Sequence, residues 1–457
     1  MRKLFFLVFC LPFMAQAQLN QDSITIKKMA NEIMTNGKAY DLLRELTKKI
    51  GGRLAGSPQQ QNAAIWGKRN MEAFAPDQVY MQPCKTPHWE RGGKDFASIV
   101  GVNGKAVNQP LAALALGNSL SSNGLVEAEL LAVANFEELE KRKEEVKGKI
   151  VYFHSVFDPT LIQTFSAYGQ SGVYRGTGAS RAAKYGAVGV MIHSLSSAPD
   201  NAPHTGSMKY DEQFPKIPAV ALGPNDAKAL YAKAKKGALR VQLQTYGYFL
   251  PDADENNVVA EIKGSVFPNE IITIGGHLDS WDVNEGAHDD GAGIVQTMEI
   301  LRTMKALNYQ PKHTIRFVLF ANEENGGRGG AKYAELAALN KERHIFALES
   351  DEGGFTPRSI GITCSPEQLK KFQTWTSLLK PYGTEITAGG GGADIGPLKS
   401  VDSNVVLSGL IPDSQRYFDL HHAKTDVFEN VNKRELLLGA VNIAAIIYLV
   451  DQYGVGL

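Results

Sequence analysis

Acidic and imidazole side chains follow several apolar stretches in the C-terminal half of the chain. An apolar stretch that ends at Gly275 leads into His277 and Asp279, and another that ends at Phe320 leads into Glu323 and Glu324. Three further segments have the same character: Gly286–Gly293 with Asp289 and Asp290, Glu349–Gly353 with Asp351, and Tyr417–Asp426 with His421 and His422. Carboxylates gathered at one end of a sheet repel each other and lose hydration, so we expect cations to neutralise them.

The ligand types indicate which cation would bind. Imidazole and carboxylate donors without a set of thiolates suit zinc, and less selectively manganese or cobalt. Five ligand groups exceed the three protein ligands of a single catalytic zinc with an open position. They match two metal ions that lie about 3.5–4 Å apart and share one carboxylate. The sequence therefore predicts a two-metal centre.

Each segment also has a purely structural explanation. Asp289 and Asp290 could cap the helix that follows them, and Glu323-Glu324 could be a solvated turn. Taken singly, these explanations carry about as much weight as metal binding. Their joint occurrence after successive strands favours the metal centre.

The order and spacing of these residues resemble those of the co-catalytic zinc exopeptidases. The matching residues are His277-x-Asp279, Asp289-Asp290, Glu323-Glu324, Asp351 and His422-x-x-x-Asp426. The resemblance extends to Gly52-Arg53-x-Ala55-Gly56-Ser57-Pro58 and covers nearly all of the chain after its first residues. It implies that His277 and Asp351 bind one zinc ion, that Glu324 and His422 bind the other, and that Asp289 bridges both.

The same resemblance implies roles for residues that do not bind metal. Glu323 would be the general base, because water held between two zinc ions loses a proton near neutral pH and a carboxylate must accept it. Asp279 would accept a hydrogen bond from His277 and fix its tautomer. His421 would donate to the oxyanion, or it is a packed or solvent-facing histidine. The bond between Asp289 and Asp290 is expected to be cis.

Residues that would bind the rest of a substrate are less sharply indicated. The run Gly389–Gly392, with Ala393-Asp394-Ile395 after it, resembles a substrate-pocket loop of the relatives or is a flexible turn. Arg53 and Arg416 are candidates to bind a free carboxylate. His288 is expected to lie in a loop beside the metals without binding them.

The elements that must position these residues alternate between strand and helix from about residue 251 onward. This alternation predicts an α/β/α sandwich with helices on both faces of a mostly parallel sheet, in which function collects at the carboxyl ends of the strands. We assign residues 18–95 and 251–457 to this peptidase domain. Residues 96–250 contain short apolar runs between Gly and Asn, which predict strands, and a small helix at Ala179–Tyr185. The resemblance implies that this insert is a protease-associated domain, non-catalytic and able to restrict access.

The N-terminus predicts export. Arg2 and Lys3 precede an apolar run, Leu4–Met14, and residues 15–17 form a small-residue cleavage site, so residues 1–17 are expected to be a signal peptide. Lipoprotein cleavage before Cys10 is a weaker alternative. No other stretch has a membrane-spanning length without charges, and Cys84 and Cys364 are bridged or free. The protein is expected to be exported and to have no membrane span.

Composition and the family resemblance together limit the classes of function that this chain could have. The 457 residues are 43% hydrophobic and 21% charged, with a formal net charge of zero, so there is no electrostatic case for a nucleic-acid partner. We expect a secreted exopeptidase that hydrolyses dipeptides and short peptides, with two Zn²⁺ per chain. Whether it acts as a carboxypeptidase or as an aminopeptidase stays open. A one-zinc glutaminyl cyclase and a non-enzymatic binding ectodomain are weaker alternatives, and a homodimer is implied by the resemblance alone.

Overall fold

The computed structural model describes the backbone of residues 5–456 and the side chains of residues 20–456. The predicted signal peptide lies outside the described side chains, and its first four residues lie outside the described backbone. The strands are β1 Gln78–Glu90, β2 Phe96–Val102, β3 Lys105–Leu111, β4 Ala113–Ala115, β5 Val126–Val133, β6 Ile150–Phe153, β7 Gly189–His193, β8 Ala219–Leu222, β9 Leu239–Gln244, β10 Tyr248–Ile262, β11 Phe267–His277, β12 His313–Phe320, β13 Arg343–Glu349, β14 Pro357–Thr363, β15 Glu385–Ala388 and β16 Val406–Pro412.

The helices are α1 Phe5–Asn36, α2 Ala39–Glu45, α3 Pro58–Ala73, α4 Phe136–Lys141, α5 Thr164–Ala183, α6 Pro224–Ala234, α7 Ala292–Ala306, α8 Arg328–Asn340, α9 Pro366–Gln373, α10 Thr376–Leu379, α11 Tyr417–Leu420 and α12 Lys433–Tyr453. Helix α12 is the only described helix that is long and apolar enough to cross a membrane. In that helix 83% of the apolar window is buried inside the protein. Its burial against α7 and the main sheet identifies it as a core helix.

The main sheet has eight strands in the order β1-β10-β12-β11-β13-β16-β14-β15. Strands β12, β11, β13 and β16 are mutually parallel, whereas β1, β10 and β12 pair antiparallel and β14 pairs antiparallel with β16. The prediction of a mostly parallel sheet was therefore wrong at its edges, and the sheet is mixed. Its parallel centre places the ends of β11, β12 and β13 at one edge.

A second eight-stranded sheet has the order β3-β2-β9-β5-β6-β7-β8-β4 and is formed between Phe96 and Gln244. It has its own apolar cores on both faces. Helix α5 beside it has 20 residues and begins at Thr164, well before the small helix predicted at Ala179–Tyr185. Glycine lowers helix propensity by about 1 kcal/mol per residue relative to alanine. The first part of α5 contains Gly169, Gly172 and Gly176, which weaken the helix signal in the sequence. The sequence-based prediction therefore missed this part of the helix.

The two sheets are joined by an apolar cluster and by hydrogen bonds. We call the part of the chain between Phe96 and Gln244 the second unit and the remainder the first. Phe157, Ala167 and Leu195 of the second unit pack against Phe418 and other residues near α11. Ser196 donates its hydroxyl to the carbonyl of Phe418 at 2.6 Å. The segment around α11, which leads to His421 and His422, therefore contacts α5 and loops of the second unit.

Candidate metal centre

The strands of the parallel centre end at one level. In the register of β11, His277 lies beside Phe320 of β12 and Gly275 lies beside Glu349 of β13. His277 is thus the last residue of its strand, while Glu323-Glu324 and Asp351 follow the neighbouring strands by two to four residues. Strand topology alone brings three of the predicted sequence segments together.

Asp289 lies between the two predicted histidine ligands. Its Oδ1 is 3.2 Å from Nε2 of His277, and its Oδ2 is 3.2 Å from Nε2 of His422. Nε2 of His277 is also 3.1 Å from Oδ1 of Asp351, and Nε2 of His422 is 3.0 Å from Oε2 of Glu324. The predicted ligands therefore form two neighbouring groups that share the carboxylate of Asp289.

The chemistry of these groups fits bound cations. Asp289 Oδ2 and Glu324 Oε1 are buried, and neither has a hydrogen-bond partner among the described residues. Burial disfavours the charged form of His277, yet the carboxylates of Asp351 and Asp279 outweigh it and raise the pKa of His277 well above its ordinary value. Buried carboxylates with free lone pairs, facing imidazole Nε2 atoms, are the donors that zinc accepts.

The carboxylates of Asp426 and Asp290 hold the backbone around the predicted ligands. Asp426 accepts from the N–H of His288 at 2.8 Å and from the N–H of Asp289 at 3.1 Å. Asp290 accepts from the N–H of His277 and of Gly293, so one member of the acidic pair does cap α7. The peptide bond between Asp289 and Asp290 is cis, as predicted.

Asp279 contacts His277 and the glutamate pair in different ways. Nδ1 of His277 lies 3.0 Å from the backbone carbonyl of Asp279 and 3.7 Å from its carboxylate. The carboxylate instead accepts from the N–H of Glu323 at 2.9 Å and of Glu324 at 3.2 Å. The main chain of Asp279 can therefore fix the tautomer of His277, while its side chain positions the two glutamates.

The remaining histidines differ in their contacts. His421 stacks on His422 with ring centroids 3.5 Å apart, and its Nε2 is 3.6 Å from Oδ2 of Asp289, farther than that of His422. Burial and the neighbouring His422 lower the pKa of His421 well below its ordinary value. His288 accepts from the N–H of Gly354 and its Nε2 lies 3.2 Å from the carbonyl of Asn430, so both of its ring nitrogens contact the main chain.

Most of the predicted ligands, together with Glu323 and His421, form one side of a cavity of about 360 Å³. Its lining residues are Phe165, Tyr168, Arg175, Ser207, Asp289, Glu323, Glu324, Gly326, Asp351, Tyr417, His421 and His422. Burial, with the nearby charges of Asp351 and Glu324, raises the pKa of Glu323 well above its ordinary value. Glu323 thus lies in a cavity wall beside the predicted ligands, where it could exchange a proton.

The residues predicted to bind the rest of a substrate lie elsewhere. Arg53 is fully buried and donates to the backbone carbonyls of Leu278, Glu285 and Gly286, so it cannot bind a substrate carboxylate. Arg416 is exposed and does not line this cavity. The backbone N–H groups of Asp394 and Ile395 donate to Glu349, and none of the described cavity-lining residues comes from the glycine run before them.

Sequence reasoning missed the opposite side of the cavity. Phe165, Tyr168 and Arg175 come from α5, and Ser207 comes from a later loop of the same unit. A helix prediction that began near Thr164 would have placed Tyr168 and Arg175, seven residues apart, on one helical face. Cys84 and Cys364, left open by the sequence, are both free thiols.

Comparison with known proteins identifies the class. The sequence profile described as peptidase family M28 matches residues 257–447. Carboxypeptidase Q from Bos taurus is 34% identical over 420 residues, which cover 91% of this chain and 84% of that protein. Carboxypeptidase Q from Xenopus laevis is 36% identical over 88% of this chain and 84% of its own length. The fold and these relatives define a zinc-dependent metallopeptidase. The chain belongs to peptidase family M28.

Solved structures agree with this assignment. The peptidase M28 precursor from Shewanella amazonensis SB2B is 30% identical, with a TM-score of 0.89 over 95% of this chain and 97% of that chain. A zinc aminopeptidase from Bacillus subtilis is 18% identical, with a TM-score of 0.64 over 90% of this chain and 94% of that chain. The second similarity shows the shared fold.

Proposed function

We propose that this metallopeptidase is an exported di-zinc exopeptidase that hydrolyses dipeptides and short peptides and releases the C-terminal residue. The observation that carries the proposal is the position of Asp289, whose two carboxylate oxygens face two separate histidines at 3.2 Å each. A carboxylate shared between two ligand groups is the arrangement of paired metal sites. The 34% identity to carboxypeptidase Q over 91% of this chain supports release of the C-terminal residue.

His277 and Asp351 would hold one zinc ion, Glu324 and His422 would hold the other, and Asp289 would serve both. When bound, the pair supplies Lewis acidity toward the scissile carbonyl and lowers the pKa of a nearby water. Oδ2 of Asp289 and Oε1 of Glu324, which are buried and accept no hydrogen bond from the described residues, support this assignment.

Glu323 would take a proton from the attacking water on its carboxylate and deliver it to the leaving amine. Its raised pKa, caused by burial and by nearby carboxylates, supports a proton-holding role. Asp279 would keep Glu323 in place through the N–H of that residue. Because the N–H of Glu324 is held by the same carboxylate, the general base and a metal ligand would be positioned together.

His421 would donate a hydrogen bond to the oxygen of the scissile carbonyl as negative charge develops there. It lines the cavity, and its lowered pKa, caused first by burial, favours the neutral ring that retains one N–H. The contact between its ring and that of His422 would keep this N–H next to the predicted metal ligands.

The size of the cavity supports short substrates. About 360 Å³ lies near the lower end of the range for ligand pockets. The second eight-stranded sheet, which we propose to be a protease-associated domain, would restrict access because α5 forms one side of the cavity. Export follows from the proposed signal peptide in residues 1–17, and a homodimer stays a prediction from the resemblance.

The proposal is tested with purified mature protein whose metal content is measured. The substrates are alanyl-alanine, its N-acetylated form and alanine 4-nitroanilide. We expect two zinc ions per chain and cleavage of the free dipeptide only. Cleavage of the anilide would show that the protein is an aminopeptidase. If no substrate were cleaved and less than one metal ion were bound per chain, the proposed exopeptidase activity would be contradicted.

Glu323→Gln separates the general base from metal binding. The amide cannot accept the proton, so kcat should fall by about 10²–10⁴-fold while two zinc ions remain bound. The control is Glu335→Gln, which removes an exposed carboxylate on α8 that pairs with Lys332. A Glu323→Gln variant with normal kcat would contradict the role of this residue.

A further inference from the structure

The second half of α5 is packed on the second sheet. The ring of Tyr174 stacks on that of Phe153 in β6, with centroids 5.5 Å apart. The N–H of Lys209 donates to the carbonyl of Gly176 at 2.9 Å. Alanines near the end of the helix belong to the apolar core on one face of that sheet. From Tyr174 onward, α5 is therefore held by the second unit.

The beginning of α5 is packed on the first unit instead. The hydroxyl of Thr164 lies 2.9 Å from the carbonyl and 2.8 Å from the hydroxyl of Ser414. The ring of Phe165 stacks on that of Tyr417, with centroids 5.4 Å apart. Ala167 is buried in the same apolar cluster as Tyr417. The two ends of one helix are thus held by different units.

The chain before α5 crosses between the units in the same way. It leaves the second sheet at the end of β6, and residues 154–163 form no helix or strand. The ring of Phe157 lies 5.3 Å from that of Phe418. The carbonyl of Ile162 accepts from the side-chain amide of Gln415 at 2.9 Å. This stretch therefore reaches the first unit and returns to the second through α5.

Residues 154–168, which we call the lid, cover one side of the cavity. Phe165 and Tyr168 belong to the lid and line the cavity opposite the predicted metal ligands. Among the described residues, the lid supplies none to the apolar cores of the two sheets. Movement of the lid away from the first unit would widen the cavity and leave those cores intact.

Two glycines lie where α5 passes from one unit to the other. Gly169 and Gly172 follow Tyr168, the last residue of the lid, and precede Tyr174. Outside the adjacent backbone, a Cβ at either glycine would have no heavy atom within 4 Å, whereas a Cβ at Gly178 would lie 3.1 Å from an aromatic ring. Close packing therefore does not require glycine at the first two positions. Because glycine lowers helix propensity, α5 is weakened at this passage.

From this geometry we propose that α5 bends at Gly169 and Gly172, so that the lid opens to admit substrate and closes for the reaction. Closure would place the rings of Phe165 and Tyr168 over the cavity and exclude water, as lids of other enzymes do. The motion itself does not depend on which peptide is cut. Its effect on turnover rests on the proposed function.

The rate of thiol labelling in Ala167→Cys measures lid opening. Ala167 is 2% exposed and lies against the first unit, so a thiol reagent reaches this position only when the lid is open. Mass spectrometry of the labelled peptides separates position 167 from the two native cysteines. Gly169→Ala and Gly172→Ala each strengthen the helix at the proposed hinge, so each should slow labelling about fivefold.

The matched control is Gly176→Ala. A Cβ at this position would likewise have no heavy atom within 4 Å outside the adjacent backbone, but the carbonyl of Gly176 is bound by the second unit. The change strengthens α5 beyond the proposed hinge, so labelling should stay within about twofold. Thermal unfolding and metal content are measured for every variant. If Ala167→Cys fails to fold, hydrogen exchange of residues 154–168 provides the same comparison.

A cross-link tests whether the lid must open during turnover. Thr164→Cys combined with Ser414→Cys replaces two hydroxyls that lie 2.8 Å apart, close enough for a disulfide. Oxidation of the double variant should lower hydrolysis of alanyl-alanine more than about tenfold, and reduction should restore it. The wild type and each single variant, oxidised in the same way, should change by less than about twofold.

The outcomes separate the lid from the proposed function. Equal slowing of labelling by all three glycine substitutions, or slowing by none, would show that α5 does not bend at Gly169 and Gly172. Full activity of the cross-linked protein would also overturn the inference, because substrate would then enter past a closed lid. A wild type without peptidase activity would contradict the proposed function, and the labelling rates would still decide whether the lid opens.

Discussion

The two sides of the cavity are built on different principles. The side formed by the main sheet is acidic, and its side chains come from loops whose N–H groups are bound by further carboxylates such as Asp279 and Asp426. The side formed by α5 is aromatic, carries the cation Arg175, and lies on a glycine-containing helix. The first side is organised to concentrate negative charge for metals. The second supplies aromatic rings and one cation that forms no ion pair with a carboxylate among the described residues.

This difference predicts different consequences for substitutions on the two sides. Changes of the predicted metal ligands on the acidic side should remove metal and lower kcat. Changes on the α5 side should leave metal in place and act on KM. A change on the α5 side that removed metal, or a change of a predicted ligand that affected only KM, would contradict this comparison.

The largest effect is expected for Asp289→Asn. Asparagine keeps one acceptor oxygen and loses the charge, so it cannot serve both ligand groups. We expect activity to fall by more than about 10³-fold, because loss of a shared ligand removes the metal contribution to the transition state. Metal analysis should show fewer than two zinc ions per chain.

The control for Asp289→Asn is Asp413→Asn, which removes a carboxylate that pairs with Arg358 at the surface. It should keep both metals and full activity. Two tightly bound zinc ions in Asp289→Asn would show that this residue does not bridge the groups.

An intermediate effect is expected for Asp279→Asn. The amide can accept from only one of the two N–H groups of Glu323 and Glu324, and its own N–H₂ would face the other donor. Loss of such supporting contacts typically costs 10–100-fold in metal affinity or activity, so we expect about that range here. Titration with a chelator and steady-state kinetics measure the two effects. Unchanged affinity and kcat would mean that the glutamate pair does not depend on this carboxylate.

The smallest effect is expected for Tyr168→Phe. It removes the hydroxyl that accepts from Nη2 of Arg175 but keeps the ring beneath the guanidinium. One hydrogen bond is worth about 0.5–1.5 kcal/mol, so KM for alanyl-alanine should rise by about 2–10-fold with kcat and zinc content unchanged. A fall in zinc content would place Tyr168 on the metal side of the comparison.

The acidic side could be predicted from the sequence because its signal is local. His277 ends a recognisable apolar strand, and Glu324 and Asp351 follow two others. Because parallel strands end at one edge of a sheet, His277 and Glu324 could be brought together without coordinates. The cis peptide bond between Asp289 and Asp290 was predicted from the family resemblance and is present in the structure.

The α5 side could not be predicted in the same way. The contact of Arg175 with His422 joins residues 247 positions apart and depends on how the second unit packs on the first. The mixed order of the main sheet was missed because β1 alternates buried and polar residues weakly and is recognised as a strand only through its long antiparallel pairing with β10. Arg53 was misjudged because its carbonyl partners lie in loops more than 200 residues away.

The backbone of His421 and His422 is tied to the unit that carries α5. The N–H of Thr205 donates to the carbonyl of His422 at 3.0 Å, and Nδ1 of His204 lies 2.6 Å from the carbonyl of His421. His422 itself has a positive φ of 61°, which an isolated chain rarely adopts. The conformation of His422, a predicted metal ligand, is therefore held by a unit that supplies none of the predicted ligands. Separating the two units would therefore remove the contacts that hold His421 and His422, and the site would be lost even if each unit folded alone.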